Sequence, residues 1–571
     1  MEGLRRRLQL VNVLLVGCVL VIVAQLAKVQ IADHAFYREW GEELRVRSIV
    51  MDEAPRGVIR DREGNLLAGN TVMYSIEAAP AYVTDPEGAS VALATLLHVP
   101  AGYIEQQLTG DAPWVLIASP VSKEIGERIA ALELQGITVR ALWRRAYPEG
   151  SLAAHVLGFC TTVEITGFYG VEGFYDALLR PERVEREVPV DPASDPIPWV
   201  VAPVVMPQPG TDLILTLDRT VQALAEEELA RAVQEYGAIG GTIIVMDPHD
   251  FGILAMASLP NYDPGRYTDY LDLNPPPVEN PAVNWQYEPG SVFKVLTLAA
   301  ALDSGLVTPE TTYYDQGYIE VGGRVIENAS RQAYGQQTVA DILIKSLNVG
   351  AAWLSTQMGP ETFYRYVRAF GIGQPTGVDL QGEIAGQLWL PGDYEHWNDS
   401  NLGMNAFGQG VAVTPLQMIT AIATVANDGT RLRPHIVSRR IAPDGTVSVF
   451  QPVVQAQVIS PETAHTVAEI MVRGVEEGAT GARIPGYRIA GKTGTAQIPI
   501  PGGYDPNGTI VSFVGFAPVP DPQVIILVKL DRPRTSTWAG DTAVPTFRRL
   551  ADRLFPILGI PPQGVAVAEA R

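Results

Sequence analysis

The 571-residue chain predicts a mixed α/β (α+β) protein. A domain on a central, mostly antiparallel sheet is expected, preceded by an elongated mixed region and one transmembrane helix. Three observations predict this. An apolar run covers residues 8–31, strand-like runs gather at the two ends of the stretch 213–530, and helical patterns fill the interval between them. The length exceeds what one compact core supports, so two or more folded units are expected.

Asn12, Gln25 and Lys28 are among the polar residues that break the apolar run. Its 24 residues make a helix of about 36 Å, against a hydrocarbon core of roughly 30 Å. Arg5, Arg6 and Arg7 precede it, and Asp33, Glu39, Glu42 and Glu43 follow. The positive-inside rule then keeps residues 1–7 in the cytoplasm and exports the bulk of the chain. No small-x-small cleavage site follows cleanly, so an uncleaved single-pass anchor in the cell membrane is expected over residues 8–31.

Residues 32–205 form a first extracytoplasmic region. It holds the turn signal Asp61-Arg62-Glu63-Gly64-Asn65 and a helical pattern over 122–133, and a Pro- and Val-rich connector covers 188–209. A new unit, 206–562, opens with the strand run 213–217 and an amphipathic helix over 218–235 that carries Val221, Leu224, Ala225, Leu229 and Val233 on one face. A hairpin follows from strands 241–246 and 253–258 across the turn 247–250. Further strands are expected at 489–497, 510–518 and 523–530, and helices near 291–303, 338–347, 361–370, 414–427, 461–477 and 544–558. The tail 563–571 is expected to be disordered.

A formal net charge of −21 argues against nucleic acid as a partner, because a phosphate groove needs surplus Lys and Arg. Of the two cysteines, Cys18 lies in the apolar run and Cys160 stands alone, so no disulfide forms outside the membrane. The seven histidines are scattered, which gives a metal or other cofactor no sequence support.

The chemistry-bearing signal is Glu288-Pro289-Gly290-Ser291-Val292-Phe293-Lys294. The serine sits in the first turn of a buried helix, and Lys294 lies one turn later on the same face. A desolvated amine at that spacing can take the hydroxyl's proton. Alone, Ser-x-x-Lys more often marks an N-cap and a surface lysine. Two later patterns change the odds: Ser346-Leu347-Asn348, and Lys492-Thr493-Gly494-Thr495 on a β-branched strand. The order Ser-x-x-Lys, Ser-x-Asn, Lys-Thr-Gly is the set of penicillin-binding proteins and class A β-lactamases. A β-lactamase of that class needs an E-x-x-L-N loop, which the chain lacks.

Beyond these motifs, Arg56-Gly57-Val58-Ile59-Arg60-Asp61-Arg62-Glu63-Gly64, Arg145-Ala146-Tyr147-Pro148, Gly170-Val171-Glu172, Phe407-Gly408-Gln409-Gly410 and Thr414-Pro415-Leu416-Gln417 follow in order. With them the chain resembles the class B penicillin-binding proteins over nearly its whole length. The resemblance implies a penicillin-binding transpeptidase/serine β-lactamase-like fold over 206–562 on a non-catalytic pedestal of the dimerisation type over 32–205. It implies catalysis by Ser291, Lys294, Ser346 and Asn348, with Asn348 holding Lys294, and substrate binding by Lys492, Thr493, Gly494 and Thr495. The implied partners are peptidoglycan stem peptides, β-lactams, a multi-spanning glycan polymerase in the membrane, and division or elongation complex proteins. The motifs around 407–410 and 512–517 look more like the division type. Side-wall elongation, or a β-lactam-binding sensor without turnover, are the alternatives.

Overall fold

The computed structural model describes residues 2–36, 46–50, 54–162, 165–182, 185–189 and 207–563. Most of the connector expected at 188–209, the acidic residues Glu39, Glu42 and Glu43, and nearly all of the tail 563–571 lie outside the described residues. Two compact units emerge, one from residues 1–54 with 181–209 and one from 55–180 with 210–571.

The first unit carries helix α1 (Glu2–Ala27), continued by one wider turn over Lys28–Ala32, and an antiparallel pair of Val46–Val50 with Glu185–Pro189. Residues 10–32 are long and apolar enough to cross a membrane, with a mean hydropathy of 2.6. Their leucines and valines are exposed on every side. Water would not tolerate such a surface, and lipid would, which fits a single-pass membrane anchor.

The second unit holds two large sheets. In the first, strand β1 (Ile59–Arg60) pairs with the long strand β2 (Leu66–Ala78), which also pairs with β3 (Val115–Val121) and β4 (Ile137–Ala146). The Asp61 carboxylate tightens the β1–β2 turn by accepting from the backbone N–H of Glu63 and Asn65. The helix expected at 122–133 runs from Lys123 to Ala130, with Ser122 capping it. Strand β5 (Asp212–Leu215), expected to open the later unit, does not enter the central sheet. It lies parallel to β1 and antiparallel to Val437–Ile441, so it joins this first sheet to the rest of the unit.

Buried charge ties the early motifs together. Glu172, fully buried, accepts from Arg56 at 2.8 Å and Arg145 at 2.5 Å, and the Cys160 thiol donates to it at 3.2 Å. Burial alone would push the Glu172 carboxyl up; Arg145 and then Arg56 outweigh it and hold the group below the ordinary carboxylate range. Arg56 also reaches Asp176 at 2.8 Å. Three motifs dispersed over 56–172 therefore meet as one ion cluster. Glu172→Gln is expected to cost about 3–5 kcal/mol, because Arg145 loses its buried counter-charge and Arg56 keeps only Asp176. Denaturant unfolding of the full chain in detergent measures it, and a loss under about 1 kcal/mol would show that the arginines find solvent instead.

The central sheet has five strands, all antiparallel. Helix α2 (Arg219–Tyr236), capped by Asp218, precedes the hairpin β6 (Gly240–Met246) and β7 (Ile253–Leu259). After the helices α3 (Lys294–Asp303), α4 (Val339–Ile344), α5 (Asn348–Ala369), α6 (Pro415–Ala426) and α7 (Pro461–Arg473) come β8 (Ala490–Ile500), β9 (Gly503–Ala517), β10 (Val524–Asp531) and helix α8 (Ala543–Ile557). Spatial order is β7-β6-β10-β9-β8, which leaves β8 at an edge.

Both faces of the sheet are buried. Ile243, Val245, Phe513 and Val528 pack with α2 and α8 on one side. Their neighbours Ile244, Met246, Val514 and Leu527 join α3, α5 and α6 on the other. The period-two alternation of a strand divides them. Residues 295–301 of α3 are buried on all sides, a helix apolar all round and so placed in the core. Helix α5 departs from expectation. The sequence places a helix only near 361–370, yet it begins at Asn348 and is broken at Gly359-Pro360, where Gly359 has φ +73°.

Candidate active site

The segment before α3 turns sharply. Residues 290–293 form one tight turn, with Ser291 in it, and α3 proper starts at Lys294. That turn brings the Lys294 ammonium nitrogen Nζ within 3.0 Å of Ser291 Oγ. Lys294 is fully buried. Burial, and then the neighbouring Lys492 charge, hold its amine well below the usual lysine range.

Ser346 enters from the α4–α5 connection. Its carbonyl accepts from Lys294 Nζ at 2.6 Å and its hydroxyl from the same nitrogen at 3.3 Å. It has φ +57°, a left-handed conformation costly for a residue with a Cβ, on the order of 1–2 kcal/mol. The strain aims both oxygens at the lysine.

Lys492 arrives from β8. Its Nζ donates to Ser346 Oγ at 3.0 Å, and to the Thr493 carbonyl and hydroxyl at 3.2 Å each. Burial lowers its pKa to about 7. Four groups from three distant segments thus form one chain: Ser291 hydroxyl, Lys294 amine, Ser346 hydroxyl, Lys492 amine.

Gly494 allows β8 to come this close. A Cβ there would meet Ser512 Oγ at 2.4 Å and the Pro289 carbonyl at 2.8 Å. The Thr495 hydroxyl accepts from Ala539 N–H at 3.3 Å, which pins a turn beside the strand. The cleft over these residues encloses about 1130 Å³ and is lined by Ser291, Ser346, Asn348, Lys492, Thr493 and Thr495 among others.

The chain is similar to known proteins over most of its length. The Penicillin binding protein transpeptidase domain family matches residues 241–552, and the Penicillin-binding Protein dimerisation domain family matches 51–215. Stage V sporulation protein D of Bacillus subtilis is 35% identical over 520 residues, which is 90% of this chain and 79% of that one. The chain belongs to the class B penicillin-binding proteins. Probable peptidoglycan D,D-transpeptidase PenA of Neisseria meningitidis is 31% identical over 556 residues, 96% of this chain and 92% of that protein. Among solved structures, penicillin binding protein 3 from Mycobacterium tuberculosis, complexed with aztreonam, superposes with a TM-score of 0.69 at 27% identity, covering 90% of this chain and 98% of that chain.

Within this family member one expected contact differs. The Asn348 amide does not meet Lys294; it donates to the Glu327 carbonyl at 3.0 Å. The physical reason is placement: Asn348 is the first residue of α5, turned towards the hairpin Tyr318–Glu327, while Lys294 is already saturated by Ser291 and Ser346.

The residues that support the site were less legible. Asn328 accepts from Val349 N–H at 3.1 Å and donates to buried Asp315 at 2.9 and 3.0 Å, so a side chain outside every motif starts α5. Gly408, whose motif reads as ordinary turn sequence by itself, abuts the nucleophile's turn. A Cβ on it would lie 2.2 Å from the Gly290 carbonyl, and its own carbonyl accepts from Gly290 N–H at 3.1 Å.

Proposed function

We propose that Ser291 is the acyl-accepting nucleophile of this enzyme, and that the chain cross-links peptidoglycan stem peptides by D-Ala-D-Ala transpeptidation. The chain is a serine-type peptidoglycan D,D-transpeptidase. The observation that carries the reading is the 3.0 Å approach of Lys294 Nζ, a buried and weakly basic amine, to Ser291 Oγ.

In this reading Lys294 takes the hydroxyl proton as Ser291 Oγ attacks the carbonyl of the penultimate D-alanine. The C–N bond to the last D-alanine breaks, and Ser346 hands a proton to the departing nitrogen from the lysine pair. An amine of a second stem peptide then attacks the ester, releases Ser291 and forms the cross-link. Lys492, Thr493 and Thr495 hold the terminal carboxylate with charge-assisted hydrogen bonds, each worth about 1.5–3 kcal/mol. The donor peptide lies along the free edge of β8, which Gly494 keeps open. The backbone N–H groups of Ser291 and Thr495 receive the oxyanion. Asn348 faces the substrate amide. A β-lactam presents the same carboxylate and a strained amide, and acylates Ser291.

Several finer readings rest on the same footing. The N-terminal residues are cytoplasmic and the bulk of the chain extracytoplasmic. Residues 32–205 serve as a non-catalytic pedestal for a transpeptidase domain at 206–562. A membrane-embedded glycan polymerase and septal division proteins are its partners. The FtsI homolog name among the relatives supports the septal role.

The test supplies the full chain in detergent with polymerised glycan strands bearing pentapeptide stems. One D-alanine released per cross-link formed is the expected result. Penicillin acylation without either product would leave a β-lactam-binding sensor in place of a transpeptidase.

A further inference from the structure

We infer that Glu288 is a positioning residue that sets the nucleophile's turn by joining it to the 408–410 loop and to Tyr504 on the β8–β9 hairpin. The inference rests on the transpeptidase reading. Residues 287–290 lie along 408–413 like a short zip. Tyr287 and Val413 exchange both backbone hydrogen bonds at 2.9 Å, and Gly290 N–H donates to the Gly408 carbonyl at 3.1 Å. Between these, Glu288 Oε1 accepts from Gly410 N–H at 2.8 Å. The same oxygen accepts from the Tyr504 hydroxyl at 3.2 Å.

Tyr504 on β9 pairs with Pro499 on β8, the arm of the hairpin that also bears Lys492–Thr495. One buried carboxylate oxygen therefore links three pieces: the turn that aims Ser291, the loop whose Gly408 leaves no room behind that turn, and the hairpin that carries the carboxylate-binding residues. Glu288 is 8% exposed, and burial pushes its carboxyl up from the ordinary value. A charged side chain kept this dry, three residues before the nucleophile, is costly unless it has a structural task. Here the task is alignment. An acceptor at Oε1 suffices, since Oε2 is buried without a hydrogen-bond partner.

The experiment compares full-length wild type, Glu288→Gln, Glu288→Ala and Tyr504→Phe in detergent, measuring penicillin acylation rate and binding separately, with thermal unfolding alongside. Glu288→Ala is expected to acylate about 10–100-fold more slowly at saturation with its binding constant nearly unchanged, the loss of two hydrogen bonds to one acceptor. Glu288→Gln keeps that acceptor and is expected within about threefold of wild type in rate, while its amide, placed where Oε2 was, lowers the unfolding temperature. Tyr504→Phe should slow acylation by about 3–10-fold.

A Glu288→Ala that acylates at the wild-type rate overturns the inference. So does a Gln variant that falls as far as Ala, since charge would then matter and not the acceptor. Should the Ala variant fail to fold, an unchanged rate in Tyr504→Phe overturns it as well. Wild type that takes no penicillin would overturn the transpeptidase reading itself, a result visible before any variant is compared.

Discussion

Ser291→Ala is expected to take up no penicillin covalently and to lose transpeptidation by roughly 10⁵–10⁶-fold, the scale seen when a nucleophile that acts as one unit with its base is removed. Nothing else in the cleft can replace it. Among the described residues, the only other hydroxyl on the Lys294 amine is that of Ser346, in a strained connection and shared with Lys492. The fold should hold, because the substitution removes one hydrogen bond at the cleft surface, worth about 1 kcal/mol. Reversible binding should also survive, since Lys492, Thr493 and Thr495 are untouched. Fluorescent penicillin on a denaturing gel reads the first effect, and equilibrium binding reads the second. A labelled band in the alanine variant would move the nucleophile elsewhere.

Removing the lysine should leave a different signature. Lys294→Ala is expected to slow acylation by about 10³-fold or more, at the upper part of the range for a positioned base. The sharper test is pH. Lys294 can accept the serine proton only as the free amine, so acylation rises as pH rises through its pKa. That pKa lies well below the usual lysine value, because the site is dry and Lys492 adds a second positive charge. Lys492 must stay protonated to hold a carboxylate, and its pKa of about 7 sets the falling limb in the free enzyme.

The second-order acylation constant is therefore bell-shaped. The free Lys294 amine gives the rise with pH and the charged Lys492 the fall, with the two lysines titrating as a coupled pair. At saturation the bound carboxylate favours the charged Lys492, so the alkaline limb moves upward. Lys294→Ala should erase the acid limb and Lys492→Met the alkaline one. An acid limb that persists in Lys294→Ala would assign the base to another group.

Ser291 and Lys294 were readable because their contact is local: three residues apart, a single turn brings them together. The five strands of the central sheet and the buried helix α3 were readable for a similar reason, since each is a run of apolar residues whose period and length belong to one element. Asp218 and Thr414 announce α2 and α6 by binding their own first-turn N–H groups.

Elements without local signals were not readable. Helix α5 has Leu347 at its N-cap position, which offers no oxygen, and is started instead by Asn328 from across the fold. Glu172 stood only in the short motif Gly170-Val171-Glu172, and only the packed structure brings Arg56 and Arg145 to it.

The sequence by itself determined the membrane segment, the order of the motifs and the pairing of Ser291 with Lys294, because these depend on composition and on spacing within one turn. The tertiary structure alone decided where Asn348 points, that Ser346 bridges two lysines, and how far the lysines' pKa values fall. Those depend on burial and on contacts between segments 21, 52 and 146 residues apart, and no local pattern records the dielectric that a fold creates.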